Sequence, residues 1–302
     1  MHGNEHYRHL RHGPDGNCNC AAVAGRGQDA SCLEPECKKD ASFGKLGAHV
    51  AKTPAELALH CDIVLCMLFD EEAVDVVYRG PGGLLSSPRK ENLFIEMSTI
   101  GVDAARALET DTRSAGAALL ECPVGGSVGP AREGKLLGLV GGDLQDLERA
   151  RPVLDTLCRR IEHSGPVGAG AQLKLAVNLP LLVYWAALGE ALDIAADLDI
   201  PAERLADLMA DTSGAAVVLP KRLKALTGLL GEAKHPATSF DIRSAAKDLS
   251  IMLETAGSNH AAAPVTAAAH QTFRAAMRQG LSDADAMTVA GLGYLRRRSP
   301  KY

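Results

Sequence analysis

The sequence predicts a two-part molecule: an α/β domain built on a parallel sheet, then an all-helical domain. Three observations carry this. Short apolar runs alternate with amphipathic stretches up to about residue 160, the order that places helices over a parallel sheet. After about Gly168 the composition shifts to Ala, Leu, Asp, Glu and Arg with helical periodicity and few strand signals. The chain has 302 residues, which at roughly 100–200 residues per domain fits two domains. With 46% apolar and 23% charged residues, it can bury large cores, which excludes wholesale disorder. A net charge of -5 argues against a nucleic-acid binder, which needs a basic face. No apolar run reaches the roughly 18 residues of a membrane span. The opening Met-His-Gly-Asn-Glu-His carries no secretory pattern, so no membrane association and a cytoplasmic location are expected.

Each element has its own local reason. Thr53 is a candidate N-cap, with Pro54 at the first helical position and Glu56 three residues after the cap, so 51–60 reads as a helix. Asp62–Leu68 is an apolar run suited to a strand buried on both faces. Asp70–Tyr78 suits a helix, closed by Gly80-Pro81-Gly82-Gly83. Asn92–Met97 reads as a strand, Val102–Ala117 as a helix, Ala118–Val124 and Leu136–Val140 as strands, and Leu144–Leu157 as a helix. One long helix is expected over Ala169–Leu198, where Leu173, Ala176, Val177, Leu181 and Tyr184 can share a face. Pro180 lies inside it, at a cost of about 3 kcal/mol. Further helices are expected at Ala202–Asp211, Leu219–Leu229, Ile242–Ala256, Pro264–Gln279 and Ala284–Leu295, before a basic tail that reads as a solvated end.

The first 40 residues differ from the rest. Four of the eight cysteines (Cys18, Cys20, Cys32, Cys37) and four of the ten histidines lie there, and no run shows strand alternation or a helical stripe. The expected division is an atypical segment at 1–40, a sheet domain at 41–164 and a helical domain at 165–302.

Three segments carry chemistry. Glu96-Met97-Ser98-Thr99 puts two hydroxyls just past a strand, where α/β sheets bind ligands; the pair also reads as a helix cap. Cys122-Pro123-Val124-Gly125-Gly126-Ser127 follows a strand with consecutive glycines, either an anion nest for a small carboxylate or a flexible turn. Lys174 and Asn178 are four apart, so they share one helix face. An ammonium and an amide there could bind an oxyanion and move a proton; an isolated surface lysine is the plainer alternative.

In this order and spacing the three segments resemble the β-hydroxyacid dehydrogenase family, the group of 3-hydroxyisobutyrate dehydrogenase and the 6-phosphogluconate dehydrogenase-like reductases. Phe240-Asp241-Ile242-Arg243, Lys247-Asp248 and the Gly80–Leu85 turn add to the match, which covers about residues 44–295. The resemblance implies an α/β Rossmann-like N-terminal domain, an all-α C-terminal domain, a homodimer, and an active site between the domains. It implies a hydride transfer between a nicotinamide and a small 3-hydroxy acid or semialdehyde, with Lys174 catalytic. It implies that Gly125, Gly126, Ser127 and Asn178 hold substrate. It implies that Leu68, Ser98, Thr99, Lys247 and Asp248 lie at the cofactor, and no metal is expected. The family usually has Ser at the position of Gly125, which leaves substrate identity open. Lys174 disfavours the two alternatives, an imine reductase, which usually lacks the lysine, and an inactive oligomeric scaffold, as in a chromatin-associated family member that has lost it.

The resemblance also implies a first strand, a G-x-G-x-x-G phosphate loop and a second strand, and residues 1–40 hold none of these. The stretch reads as out of frame. Shifting residues 4–37 by one base allows glycines at Arg11, Gly13 and Gly16, spaced as G-x-G-x-x-G, and Trp-Asn-Arg-Ser at 33–36. That Arg would suit a 2′-phosphate, so NADP(H) is expected ahead of NAD(H), with cofactor binding impaired in the chain as it stands. The alternative for this segment, a zinc module on its cysteines, fits no common ligand spacing.

Overall fold

A computed structural model describes the backbone of residues 20–26, 29–33 and 49–298, with side chains from residue 51 onward. The described residues form two compact units that divide between Ala176 and Val177.

The first unit is organised by one sheet. Its strands are β1 (Cys20–Arg26), β2 (Asp29–Leu33), β3 (His49–Val50), β4 (Ile63–Met67), β5 (Leu93–Glu96), β6 (Ala118–Glu121), β7 (Val124–Gly125), β8 (Leu136–Gly141) and β9 (Cys158–Gly165). They lie in the order β3-β2-β1-β4-β5-β6-β8-β7, with β9 beside β8. The helices are α1 (Pro54–His60), α2 (Glu71–Arg79), α3 (Val102–Ser114), α4 (Val128–Arg132) and α5 (Leu144–Leu157).

The continuous apolar runs of β4, β5 and β6 have a simple cause: both faces are covered. On one face Val64, Cys66, Phe94 and Leu119 meet Leu57, Val74, Val77, Tyr78 and Leu108 of α1, α2 and α3. On the other, Leu65, Leu93, Ile95 and Leu120 meet Leu147, Leu154 and Leu157 of α5. Burying each such Leu, Ile or Phe contributes about 1.5–3 kcal/mol. Tyr78 and Phe94 pack edge to face at 5.9 Å. The expected N-cap is present: Thr53 Oγ1 accepts from the Glu56 N–H at 3.2 Å, and the Lys52 N–H donates to Glu56 Oε2 at 2.6 Å. Asp70 caps α2 by accepting from the Ala73 N–H at 2.9 Å.

The sheet departs from expectation in several places. β4, β5 and β6 are parallel, but β8 runs antiparallel to β6 and β7, so the sheet is mixed. The single strand expected over Ala118–Val124 breaks at Cys122-Pro123, where proline has no N–H to continue a ladder. The short helix α4 and strand β9 had no counterpart in the sequence reading. β9 is half-exposed with Arg159, Arg160, Glu162 and His163 along it, so its composition hides a strand that, among the described residues, pairs with β8 alone.

The largest correction concerns the start. Two strands do form there, where none was expected, but as an antiparallel hairpin of β1 and β2. β1 is also antiparallel to β4, pairing Cys20 with Met67 and Gly25 with Ile63. Positions 11, 13 and 16, read as displaced glycines, lie outside the described residues.

The second unit is helical. α6 (Ala169–Ile194) begins in the first unit and continues into the second. It is followed by α7 (Ala202–Ala210), α8 (Val218–Glu232), α9 (Ile242–Ser258), α10 (Pro264–Arg278), a 3₁₀ segment at Ala286–Gly291 and α11 (Leu292–Arg298). The helix expected over Ala284–Leu295 is thus split in two. α6 runs through Pro180. Leu182, Trp185, Leu188 and Leu192 are buried, while Ala176 and Val177 of the expected stripe are exposed. In a helix apolar nearly all round, periodicity does not select the buried face. Its 26 residues are also long and apolar enough, by length and composition, to cross a membrane, contrary to the sequence expectation; a core helix meets the same test. Asp285 ties the far end of this unit together. Its Oδ1 pairs with Arg222 at 2.5 Å, and its Oδ2 accepts from the Ser239 N–H and Oγ–H at 2.9 Å each.

Candidate active site

The parallel strands β4, β5 and β6 end at one edge of the sheet, and their carboxyl ends carry the first group of candidate residues. Ser98 is buried. Its Oγ accepts from the Leu68 N–H at 2.7 Å, and its own N–H donates to Glu96 Oε1 at 2.8 Å. Leu68 and Ser98, thirty residues apart, are therefore clipped together. Thr99 follows and is half-buried.

Glu96 lies beneath this clip, fully buried beside Tyr78 and Cys66. Burial pushes its carboxyl up to about 7, against the opposing bonds from Ser98. The same burial raises the Cys66 thiol and the Tyr78 hydroxyl. Nothing in Glu96-Met97-Ser98-Thr99 itself marks Glu96, because its burial depends on the strands to either side.

The glycine loop follows β6. Gly125 ends β7 and pairs with Leu137, and Gly126 has φ +126, a conformation that needs glycine. Ser127 is exposed at the N-cap of α4. Across the sheet, a Cβ at Gly138 would sit 3.1 Å from Cys122 Sγ and 3.2 Å from Cys158 Sγ, so glycine makes room where the two buried thiols converge.

Lys174 is half-buried in the second turn of α6. The start of that helix is held by Glu121, at the end of β6, whose Oε1 accepts from the Gly168 N–H at 2.6 Å and the Gly170 N–H at 2.7 Å. Burial raises the Glu121 carboxyl, and the N–H groups of Gly170, Gly168 and Ala171 oppose that rise. Sequence reasoning did not find this contact; the clustered glycines at 165, 168 and 170 were its only trace.

In the second unit the structure brings three candidates together. Asn178 Nδ2 donates to Asp248 Oδ2 at 3.1 Å, and Lys247 Nζ pairs with Asp248 Oδ1 at 3.1 Å. Asp248 is buried, so α9 places a carboxylate against the amide of α6 seventy residues earlier. Among the described residues no group of three or more His, Cys, Asp or Glu is placed to hold a metal. The side chains of Cys18, Cys20, Cys32 and Cys37, which carried the zinc alternative, lie outside the described set.

Residues 16–165 match the NAD binding domain of 6-phosphogluconate dehydrogenase, and residues 168–292 match the NAD-binding domain of NADP-dependent 3-hydroxyisobutyrate dehydrogenase. An NAD-dependent L-serine dehydrogenase of Pseudomonas aeruginosa is 31% identical over 249 residues, 82% of this chain and 83% of that protein. The chain belongs to the β-hydroxyacid dehydrogenase family. Within that family it is also similar to glyoxylate/succinic semialdehyde reductase 1 of Arabidopsis thaliana, 30% identical over 250 residues, 80% of this chain and 82% of that protein. Among solved structures, Mycobacterium tuberculosis 3-hydroxyisobutyrate dehydrogenase with L-serine superposes with a TM-score of 0.75 at 29% identity, covering 87% of this chain and 90% of that one. The family consists of NAD(P)-dependent oxidoreductases of hydroxy acids and semialdehydes, and the Rossmann-like and helical parts of this chain are its two domains.

Proposed function

We propose that this chain transfers a hydride between a nicotinamide and a small carboxylate-bearing 3-hydroxy acid or semialdehyde, with Lys174 moving the proton at the substrate oxygen. The observation that carries this is Lys174 itself, half-buried one turn beyond a helix start that Glu121 anchors. An ammonium or amine so placed serves as acid for reduction and base for oxidation. The N–H groups of Gly125, Gly126 and Ser127 would hold the substrate carboxylate, and Asn178, oriented by Asp248, would orient the substrate. When bound, the nicotinamide supplies or takes the hydride.

The residues fit one end of that cofactor better than the other. The Leu68–Ser98 clip and Thr99 offer backbone and hydroxyl groups at the carboxyl ends of β4 and β5, which suits the nicotinamide end. Lys247, paired with Asp248 on α9, is proposed as a further cofactor contact. The diphosphate end would need a parallel first strand leading into a helix N-terminus. Here β1 is antiparallel, so its Gly25-Arg26 end lies at the amino end of β4, the wrong edge for a phosphate loop. We therefore propose that dinucleotide binding by this chain is weak, and that the out-of-frame reading of residues 4–37 is the reason. We further propose a preference for NADP(H) over NAD(H), supported by the match of the helical part to an NADP-dependent family, and a homodimer, supported by exposed Val177 and Ile194 on α6. A cytoplasmic location is proposed from the buried free cysteines Cys61, Cys66, Cys122 and Cys158.

The test is a panel of small semialdehydes and hydroxy acids with NADPH and NADH. Lys174→Ala is expected to lower turnover roughly 10²- to 10⁴-fold, the usual contribution of a positioned acid or base, with an unchanged circular dichroism spectrum. Unchanged turnover would overturn the catalytic assignment. Translating residues 4–37 in the shifted frame is expected to tighten NADPH binding in a fluorescence titration; equal affinity would overturn the frame reading.

A further inference from the structure

We infer that Glu121 is a positioning residue for Lys174, fixing the start of helix α6 to the strand that leads into the Gly125–Gly126 loop. This rests on the reading of Lys174 as the proton-transfer group.

Glu121 is buried at the end of β6, four residues before Gly125. One of its oxygens, Oε1, takes both the Gly168 and the Gly170 N–H, at 2.6 and 2.7 Å. These are among the donors that a helix start leaves without intrahelical acceptors. The carboxylate thus caps α6 from a different element, and its charge faces the positive end of the helix. Lys174 follows Gly170 by four residues, about one turn, so the cap sets both its height along the axis and its rotation about it.

The surrounding glycines are shaped to this contact. A side chain at Gly141, the β8 partner of Glu121, would collide with Oε1. One at Gly170 would collide with Leu139 O and approach Oε1 at 3.1 Å. Gly168 has φ +99, which favours glycine. Glu121 Oε2 has no hydrogen-bond partner among the described residues. A buried carboxyl with one oxygen unsatisfied is costly, and an apolar residue would serve packing better. The helix start is what this carboxyl serves, and through it the residues that hold the substrate carboxylate and the residue that moves the proton share one anchor.

The test compares Glu121→Asp, Glu121→Gln and Glu121→Ala with wild type and with Lys174→Ala. Turnover is measured at saturating NADPH and substrate, and hydrogen exchange at the amides of residues 168–174. Asp keeps the charge but shortens the reach, and Ala removes the acceptor. Both are expected to lower kcat by roughly 10- to 100-fold, the scale of an ångström-level misplacement of a catalytic group. KM for NADPH should be unchanged, and exchange at these amides should quicken. Gln, which keeps a carbonyl acceptor in place, is expected to recover most of kcat and protection. If Ala fails to fold, Asp carries the test. Wild-type exchange at 168–174 together with wild-type kcat in Glu121→Asp would overturn the inference, as would kcat and KM falling together with protection intact. If Lys174→Ala keeps full turnover, the reading of Lys174 fails instead. If Lys174→Ala loses turnover while Glu121→Asp matches wild type in both measurements, only the positioning role fails.

Discussion

The sheet unit and the helical unit each hold buried carboxylates, but with opposite kinds of partner. In the sheet unit, Glu96 and Glu121 are held by backbone N–H groups, from Ser98 and from Gly168 and Gly170. In the helical unit, Asp248 faces the Lys247 ammonium and the Asn178 amide. Neutral donors offset desolvation only in part, so the first pair is pushed toward the protonated form. A cationic partner offsets far more, but each charge then depends on the other. The lesson is that a buried carboxylate can be a tolerated cost in one region and a structural necessity in another.

The largest expected effect tests that dependence. Asp248→Ala deprives Lys247 of this carboxylate and Asn178 of its acceptor, and is expected to destabilise the protein by roughly 3 kcal/mol, read from urea unfolding. A loss under about 1 kcal/mol would mean that solvent screens the pair as it does at a surface.

Glu96→Gln should behave in the opposite way, with a pH signature. The folded carboxyl titrates at about 7, above its ordinary 4.5, so the folded state holds the proton more tightly than the unfolded one. The stability this contributes is fully present below about 4.5 and is lost as pH rises through about 7. At about 1.4 kcal/mol per unit, the loss amounts to about 3 kcal/mol. Glu96→Gln cannot ionise, so its stability relative to wild type is expected to improve by about that amount between pH 4.5 and pH 8. A pH-independent difference between the two would break the comparison.

Smaller effects sharpen it. Ser98→Ala leaves the buried Leu68 N–H without its acceptor and is expected to cost about 1–2 kcal/mol, with weaker NADPH binding. Thr53→Ala, far from either carboxylate, should cost only about 1 kcal/mol by removing the α1 cap, with NADPH affinity unchanged. Equal changes in affinity from the two would mean that the Leu68–Ser98 clip has no special place at the cofactor.

Much of this was legible in the sequence, in ways that follow from local physics. The runs Ile63–Met67 and Leu93–Glu96 announced strands because both faces are apolar. Leu144–Leu157 announced a helix with the same bounds as observed. Thr53 announced a helix start because a cap is a contact between near neighbours. β9 escaped because a half-exposed, charged strand owes its existence to β8 and not to its own pattern. The buried face of α6 escaped because a helix apolar nearly all round offers no stripe to read. The hairpin of β1 and β2 escaped because its pairing carries no local signature.

The site divides along the same line. The sequence by itself determined which residue types stand at the strand ends, in the glycine loop and on α6, and the order that ties them to one family. Only the tertiary structure decided that Ser98 clips Leu68, that Glu121 caps the helix of Lys174, and that Asp248 holds Asn178. Those bonds join residues thirty, about fifty and seventy positions apart. Such partners become neighbours only after the chain has met the entropy cost of closing the intervening loops, and that cost is met by burial across the whole core, which no local pattern records.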